Sequence, residues 1–257
     1  MPKHTLLQIT DTHLSADADA QMQGINTSAS LAKVISHARA QGVDFDAVLA
    51  TGDISQDGSA ESYARFLELT SALQPTPLLW LPGNHDSVAS MAAARTESPS
   101  SLQLGSWLVL MLDSTVAGSP HGELGQQRLE NLRARLADAE AQPEIAHVIL
   151  AVHHNPQPNG ASWMDEIGLH DGAELLSLLN ATGKVRALLH GHCHQALDEV
   201  LGQVRVLGAP STCVQFAPIA LEFAVDSAAP GYRWLRLHED GKLETGVVRV
   251  PDDGRQT

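Results

Sequence analysis

Side chains able to bind metal ions stand in five short motifs of this 257-residue sequence. The motifs are Asp11-Thr12-His13, Gly52-Asp53, Gly83-Asn84-His85-Asp86, His153-His154 and His190-Gly191-His192-Cys193-His194. Carboxylate and amide oxygens mixed with neutral imidazoles suit borderline and hard divalent ions such as Mn, Fe and Zn. Each motif alone is a weak signal, but the five together predict a metal site. Two carboxylates cannot neutralise two divalent ions, so the loaded site would attract a phosphate anion.

Each motif follows an apolar run that predicts a β-strand. The runs cover residues 6–10, 48–50, 78–81, 147–152 and 185–189, and a sixth run covers 107–112. Ligands of open α/β sheets gather beyond the carboxyl ends of the strands, so we expect the five motifs to meet at one rim. In Asp-x-His and His-x-His, an extended backbone would turn alternate side chains toward the same ions. Glycines at 52, 83 and 191 would let the backbone pass close to the metals.

Helical periodicity separates these strands, and it predicts an α/β fold. Helices are expected from residue 28, over 63–73, near 126–139 and near 174–181. After Gly191 short β-like runs follow at 204–207, 219–225, 234–237 and 243–250. No Pro/Ser-rich linker interrupts the chain, so we treat residues 1–250 as a single domain and 251–257 as a polar C-terminal tail.

The composition narrows the classes of partner. The formal net charge is −14, with 30 acidic against 16 basic residues. This balance argues against a nucleic-acid polymer or a membrane as partner, because both require a Lys/Arg-rich surface. The two cysteines, Cys193 and Cys213, cannot form a disulfide framework, and no apolar run is long enough for a signal peptide or a membrane span. We therefore expect a cytoplasmic location.

The order of the motifs resembles the calcineurin-like metallophosphoesterase superfamily, whose pattern is D-x-H, G-D, G-N-H-D/E, a histidine after a strand, and G-H-x-H. The matching motifs span Asp11 to His194, roughly three-quarters of the chain. Residues 7–13, 80–86, 121–124 and 210–216 further resemble the bacterial class III cyclic nucleotide phosphodiesterases. The resemblance implies a four-layer α/β/β/α sandwich of the metallophosphoesterase type.

The same resemblance implies how seven side chains are divided between two divalent ions. Asp11, His13 and His194 would hold one ion, and Asn84, His153 and His192 would hold the other. Asp53 would bridge the pair. Fe and Mn are the expected metals, with Zn as an alternative. His154 is then a supporting residue, and Cys193 packs away from the ions.

The implied reaction is hydrolysis of 3′,5′-cyclic AMP to 5′-AMP by a hydroxide that bridges the two ions. The departing ribose alkoxide is a poor leaving group, so a general acid is useful, and His85 is the candidate. Asp86 or Asp57 could orient His85, or either could cap a helix. Trp163 could stack on the base. We expect the substrate to contact His85 together with His13, Asp53, Asn84, His153 and His194.

Other readings stay open. The seven predicted ligands, which we call the cage, could equally serve a 2′,3′-cyclic nucleotide, a glycerophosphodiester or a monoester. Residues 54–58 lack the arginine of serine/threonine phosphatases, and Gln56 stands where purple acid phosphatases place a tyrosine, which weighs against both groups. A non-catalytic, metal-stabilised binding scaffold is a remoter alternative, because His85 and the carboxylates are all present. A nuclease would need a basic groove. The sequence leaves the oligomeric state undetermined.

Overall fold

The computed structural model of the chain describes residues 4–73, 76–95 and 99–251. The part of the predicted polar tail beyond residue 251 lies outside these ranges. The strands are β1 (His4–Ile9), β2 (Gln21–Met22), β3 (Ile25–Asn26), β4 (Ala47–Thr51), β5 (Leu78–Leu81), β6 (Ser101–Leu104), β7 (Trp107–Met111), β8 (His147–Ala151), β9 (Val185–His190), β10 (Leu197–Leu201), β11 (Val204–Gly208), β12 (Gln215–Phe216), β13 (Val225–Asp226), β14 (Gly231–Leu237) and β15 (Leu243–Arg249). The α-helices are α1 (Thr27–Ala40), α2 (Ala60–Thr70), α3 (Val88–Ala94), α4 (Gly125–Ala141), α5 (Ser162–Asp165) and α6 (Gly172–Asn180), and a 3₁₀ turn (Ser71–Leu73) follows α2.

Two large sheets form the centre of the fold. The first has the strand order β15-β14-β1-β4-β5, and the second has the order β10-β11-β9-β8-β7-β6. Strands β1, β4 and β5 are parallel to one another, as are β7, β8, β9 and β11. Parallel strands joined by helices need cover on both faces, which explains their continuous apolar sequences.

Three separate apolar cores show that the layers are helix, sheet, sheet and helix. Side chains of α1, α2 and α3 pack on the outer face of the first sheet, while α4 and α6 cover the second sheet. The third core lies between the sheets. Successive side chains of β4 point to opposite faces of the first sheet. Val48 packs against the helices, whereas Leu49 packs against the other sheet. The predicted four-layer α/β/β/α sandwich is confirmed.

The predicted elements agree with the observed ones except at the apolar run 219–225. That run alternates like a strand, but only Val225 belongs to one, and β13 pairs with β12 over two residues. Ile219 and Leu221 are 77% and 81% exposed, so no partner strand or core receives them. The sequence also gave no sign of the short hairpin β2–β3, of the edge strands β6 and β10, or of α3.

Within the described residues, no helix is both long enough and apolar enough to cross a membrane. The assignment of residues 1–250 to one domain stays a prediction.

Candidate metal centre

The five motifs converge at the rim where the carboxyl ends of both sheets meet. Asp11 and His13 follow β1, Asp53 follows β4, and Asn84 follows β5 in the first sheet. The second sheet supplies the remaining residues, which are His153 after β8 and His192 and His194 after β9. Backbone hydrogen bonds join neighbouring loops: Asp11 N–H donates to the Gly52 carbonyl and Gly191 N–H to the His153 carbonyl, each over 3.0 Å. The rim therefore unites both halves of the chain.

Five of the seven predicted ligands have a left-handed backbone. The φ angles are 52° at Asp11, 46° at His13, 47° at Asp53, 65° at His192 and 51° at His194. The expectation that Asp-x-His and His-x-His are extended is therefore wrong, because alternate residues in these loops turn through positive φ. Such conformations cost roughly 1–3 kcal/mol each and cluster at functional sites, where the surrounding structure maintains them.

All three motif glycines are needed because the backbone passes directly against a predicted ligand. A Cβ on Gly191 would lie 2.2 Å from Thr10 Oγ1 and 2.7 Å from Asp11 Oδ2. A Cβ on Gly83 would lie 2.1 Å from Asp53 Oδ1, and a Cβ on Gly52 would lie 2.4 Å from His153 Nδ1. These separations are far below van der Waals contact, so a side chain at any of the three positions would displace a predicted ligand.

One group of ligand atoms comprises Asp11, His13 and His194. Their ligand atoms lie within 4.8 Å of one another, and His194 Nε2 is 3.3 Å from Asp11 Oδ1. The Nδ1 atoms of His13 and His194 face Gln56 Oε1 and the Val214 carbonyl, each over 2.7 Å, so Nδ1 must carry the proton. The two Nε2 atoms then point lone pairs at each other over 3.1 Å. A cation between them removes this repulsion, and the donor set therefore fits a divalent metal.

A second group comprises Asn84, His153 and His192. His153 Nδ1 donates to the Thr51 carbonyl over 2.9 Å, which leaves Nε2 as the ligand atom. This Nε2 lies 3.2 Å from both Asn84 Oδ1 and His192 Nδ1. His192 therefore turns Nδ1 toward the other members of the group, and its Nε2 is buried without a hydrogen-bond partner among the described residues. With Nδ1 of His153 protonated, its Nε2 carries a lone pair, and a bound ion would be shared by this nitrogen, His192 Nδ1 and Asn84 Oδ1.

Asp53 stands between the two groups. Its Oδ2 is 3.3 Å from His153 Nε2 and 3.8 Å from His13 Nε2, so one oxygen faces both. Its Oδ1 accepts the backbone N–H of His85 over 3.0 Å. This placement is the one required of a bridging ligand.

Burial and mutual charge set the protonation of these groups. Burial lowers the pKa of His13 to about 4 and that of His192 well below its usual value, so both imidazoles are neutral donors. Burial opposes the charge on Asp53, but the neighbouring His153 holds the pKa of Asp53 well below its usual range. Although burial also opposes charge on His153, Asp53 raises the pKa of that imidazole to about 9. Because an imidazole binds a metal through a deprotonated nitrogen, an ion at His153 would compete with a proton.

His85 lies at the open side of the cage. Its ring centroid is 5.1 Å from that of His13 in an edge-on arrangement, and its ligand atom lies within 4.8 Å of those of His13 and Asp53. The side chain is thus beside the ligands and accessible to solvent, as a proton donor to a departing group must be.

Neither carboxylate proposed to orient His85 is turned toward it. Asp86 accepts the backbone N–H groups of Gly83, Ile54 and Ser55, and the Tyr63 hydroxyl, over 2.8–3.1 Å. Asp57 accepts the N–H groups of Ala16 and Ser59. Neither caps a helix, because Ser59 caps α2 and Ser87 caps α3. Asp86 therefore holds the loop that carries Asn84 and His85.

The remaining motif residues have structural contacts. His154 Nε2 donates to the Pro120 carbonyl over 3.2 Å and Nδ1 accepts from Ser114 Oγ over 2.8 Å, so both its nitrogens are engaged. Cys193 is fully buried in an apolar cluster with Val214 and Phe216, as expected. Burial raises the pKa of its thiol to about 12.

Two residues that support the cage were missed at the sequence level. Gln56 accepts from His13, and Phe216 stacks on His194 with ring centroids 3.9 Å apart and planes 14° from parallel. In the sequence, Gln56 is notable only because purple acid phosphatases have a tyrosine at that position. Phe216 is notable only as a member of the segment 210–216 that resembles the class III phosphodiesterases. Trp163 lies in the short helix α5 and contacts Phe216 and Phe223 edge-on. Its stacking on a base stays a prediction.

Comparison with known proteins agrees with this geometry. The family model described as calcineurin-like phosphoesterase matches residues 4–196. The chain belongs to this family. Our phosphoesterase is 44% identical over 251 residues to the 3′,5′-cyclic adenosine monophosphate phosphodiesterase CpdA of Pseudomonas aeruginosa, covering 96% of this chain and 90% of that one. It is also 44% identical over 252 residues to CpdA of Escherichia coli K12, with 96% and 90% covered.

Solved structures share the fold at low identity. A dimetal phosphatase from Danio rerio superposes with a TM-score of 0.69 at 16% identity, covering 98% of the phosphoesterase chain and 100% of its own. Together with the clustered ligand atoms, the family membership supports two divalent metal ions in this phosphoesterase.

Proposed function

We propose that this phosphoesterase hydrolyses 3′,5′-cyclic AMP to 5′-AMP. The single observation that carries the substrate is the 44% identity to two 3′,5′-cyclic adenosine monophosphate phosphodiesterases along 96% of the chain. The identity extends through the β-rich end, beyond the residues that could hold metal. Shared chemistry alone would leave the substrate open, because the cage suits any small phosphoester.

We assign one ion to Asp11, His13 and His194 and the other to Asn84, His153 and His192. Asp53, whose Oδ2 faces both His13 and His153, would contribute to holding both. Four imidazoles, two carboxylates and one amide form a mixed nitrogen and oxygen set, which favours Fe or Mn and allows Zn. When bound, the two ions supply positive charge for the phosphate and acidify water. His13, His153 and His194 each donate a hydrogen bond from Nδ1, which fixes the tautomer whose Nε2 is free to bind a metal.

The chain's own residues contribute orientation and a proton. As the oxygen of water bonds to phosphorus and the P–O3′ bond breaks, His85 gives a proton to O3′, which becomes the 3′-hydroxyl of 5′-AMP. Asp53 positions His85 through the backbone hydrogen bond from the His85 N–H to Oδ1. We expect the phosphate to lie among His13, Asp53, Asn84, His85, His153 and His194.

The test is a comparison of initial rates after loading with Mn or Fe. The panel contains cyclic AMP, cyclic GMP, a 2′,3′-cyclic nucleotide, a glycerophosphodiester and p-nitrophenyl phosphate. Cyclic AMP should give the highest kcat/KM. A monoester or glycerophosphodiester that exceeds cyclic AMP by orders of magnitude would show that the substrate is wrong, and inactivity toward all five would favour a binding scaffold.

A further inference from the structure

A cavity of about 240 Å³ opens beside His13, outside the cage. Its walls are residues 20–23 of the β2–β3 hairpin together with Ser15, Thr27 and Gln56, and His13 forms the side toward the ligands. Pockets for drug-sized ligands occupy roughly 300–1,000 Å³, so this smaller one suits a single ring system. It shares His13 with the group of residues that could hold one metal ion.

The lining is polar, and its one titratable side chain is the neutral imidazole of His13. Gln21, Gln23 and Gln56 line the cavity, and none of its lining residues is Lys, Arg, Asp or Glu. A phosphate would be drawn to the cage rather than to neutral amides. Glutamine amides pair well with the nitrogen-bearing edges of purines, as they do with adenine in DNA recognition. The cavity is thus suited to the uncharged heteroaromatic part of a nucleotide.

The contact with His13 determines which end of Gln56 faces the cavity. His13 directs Nε2 to the cage, so its Nδ1–H donates to Gln56 Oε1 over 2.7 Å. The Gln56 amide nitrogen is the group left to donate into the cavity. A fixed donor here suits an unprotonated ring nitrogen of a base.

The hairpin wall is held firmly against the body of the protein. Met22 and Ile25 pack against the apolar cluster that contains Phe216, the residue stacked on His194. Asn26 Oδ1 accepts the Ala29 N–H over 2.8 Å as the N-cap of α1. The hairpin therefore has a fixed position relative to the cage.

The turn of the hairpin contains an unfavourable residue. Gln23 and Gly24 have φ angles of 49° and 81°, and a two-residue turn with positive φ at both positions prefers Asn-Gly. Glutamine has no local advantage there, and strained residues of this kind cluster at functional sites. Gln23 lines the cavity, and a contact with a ligand there would account for its presence in the turn.

We propose that this cavity is the subsite for the purine base of the substrate, held by the amides of Gln21, Gln23 and Gln56. The subsite rests on the proposed function for its nucleotide, and it adds the residues that recognise the base. The cage holds the phosphate, and the hairpin distinguishes a nucleotide from other diesters.

The decisive variant is Gln23→Asn, which keeps an amide and suits the turn but shortens the side chain by one methylene. The measurement is kcat/KM for cyclic AMP divided by kcat/KM for bis-p-nitrophenyl phosphate, which has no base. We expect the ratio to fall about five- to tenfold through a higher KM for cyclic AMP, the effect of losing one neutral hydrogen bond. The Tm should not fall. Gln126→Asn, at an exposed position of α4, is the matched control and should leave the ratio unchanged.

A second measurement separates the subsite from the proposed function. Titration calorimetry with adenosine, which lacks the phosphate, should show weaker binding to Gln23→Asn than to wild type. An unchanged ratio, a ratio that falls through kcat alone, or wild-type protein that does not bind adenosine would overturn the subsite. Wild-type protein that binds adenosine through Gln23 but does not hydrolyse cyclic AMP would overturn the proposed function and leave the subsite standing.

Discussion

The two carboxylate oxygens of Asp53 make different contacts. Oδ2 faces the imidazoles of both ligand groups, while Oδ1 accepts the backbone N–H of His85. The bridging position and the candidate acid are therefore fixed relative to each other by a single side chain. A change that moves Asp53 should disturb metal binding and proton donation together, because neither oxygen can shift alone.

Replacing His85 tests the proton transfer in isolation. We expect His85→Ala to lower kcat for cyclic AMP by about 10²–10⁴-fold, because the ribose alkoxide needs a proton. The loss should be much smaller for bis-p-nitrophenyl phosphate, whose p-nitrophenolate departs without one. Steady-state rates on both substrates check this, with metal content measured in parallel. Equal losses on the two substrates would contradict the acid role.

Gly191 tests the close approach of the backbone to Asp11. In Gly191→Ala the added methyl would lie 2.2 Å from Thr10 Oγ1 and 2.7 Å from Asp11 Oδ2, so the carboxylate must move. We expect a loss of about 1–3 kcal/mol in the free energy of unfolding and less than two metal ions per chain. Chemical denaturation and metal analysis measure these. Gly183→Ala, whose Cβ would meet only Glu140 Oε1 at 3.7 Å, is the control and should retain both properties.

At the scale of elements, the connection between β12 and β13 gains little stability from packing. Ile219 has a φ of 57° although it is β-branched and 77% exposed, so it bears strain with little burial in return. The alternation of apolar residues predicts a strand here, but within the described part of the chain only Val225 of this run pairs with a neighbouring strand. Local pattern alone cannot reveal the absence of a partner.

Ile219→Asn should therefore stabilise the protein. Asparagine tolerates the left-handed region, and relief of the strain is worth roughly 1 kcal/mol. For a chain of this size we expect the Tm to rise by about 2–4 °C, measured by differential scanning calorimetry. Leu221→Asn removes a side chain of similar exposure without this backbone benefit. If both variants raise the Tm equally, strain at residue 219 is not the cause.

The sequence predicted strands best where both faces are buried, as in β5, whose predicted and observed limits coincide. It failed at the edge strand β10, where Leu197, Val200 and Leu201 do not alternate regularly with polar residues and no residue is fully buried. In the site, residue types and strand ends identified all seven residues that meet at the rim. The left-handed backbone and the anchoring by Gln56 could not be predicted, because both depend on contacts between segments distant in sequence.

Across the whole molecule, the pH dependence of stability should show the cost of burying neutral histidines. His147 packs on Trp107 at the start of β8 and donates from Nε2 to the Glu239 carbonyl. Its Nδ1 is buried, and no residue that the structure describes is a hydrogen-bond partner for it. Burial lowers the pKa of His147. The unfolded chain then binds more protons as the pH falls below about 6.5, so stability is complete above that pH and declines below it.

His147→Gln should reduce this decline. Glutamine can keep the donor to Glu239 but does not titrate. We expect the free energy of unfolding to fall less steeply below pH 6.5, by up to ~1.4 kcal/mol per pH unit. Urea denaturation at several pH values from 8 to 5 measures how the free energy of unfolding changes with pH. The difference between the two proteins at pH 8, where His147 is neutral in both states, reports any change in packing. Identical slopes for the two proteins would show that His147 does not titrate on unfolding.

The strand order of the first sheet has a consequence for biosynthesis. Strand β1 lies between β4 and β14, so β1 gains its second neighbour only after β14, which begins at Gly231, has been translated. At about 5–20 residues per second these 257 residues take roughly 13–50 s, and the nascent protein carries an unpaired edge of β1 for most of that time. A ribosome that stalls after His194 would have made every residue that we propose as a metal ligand, yet the free edge of β1 could still pair with a strand of another chain.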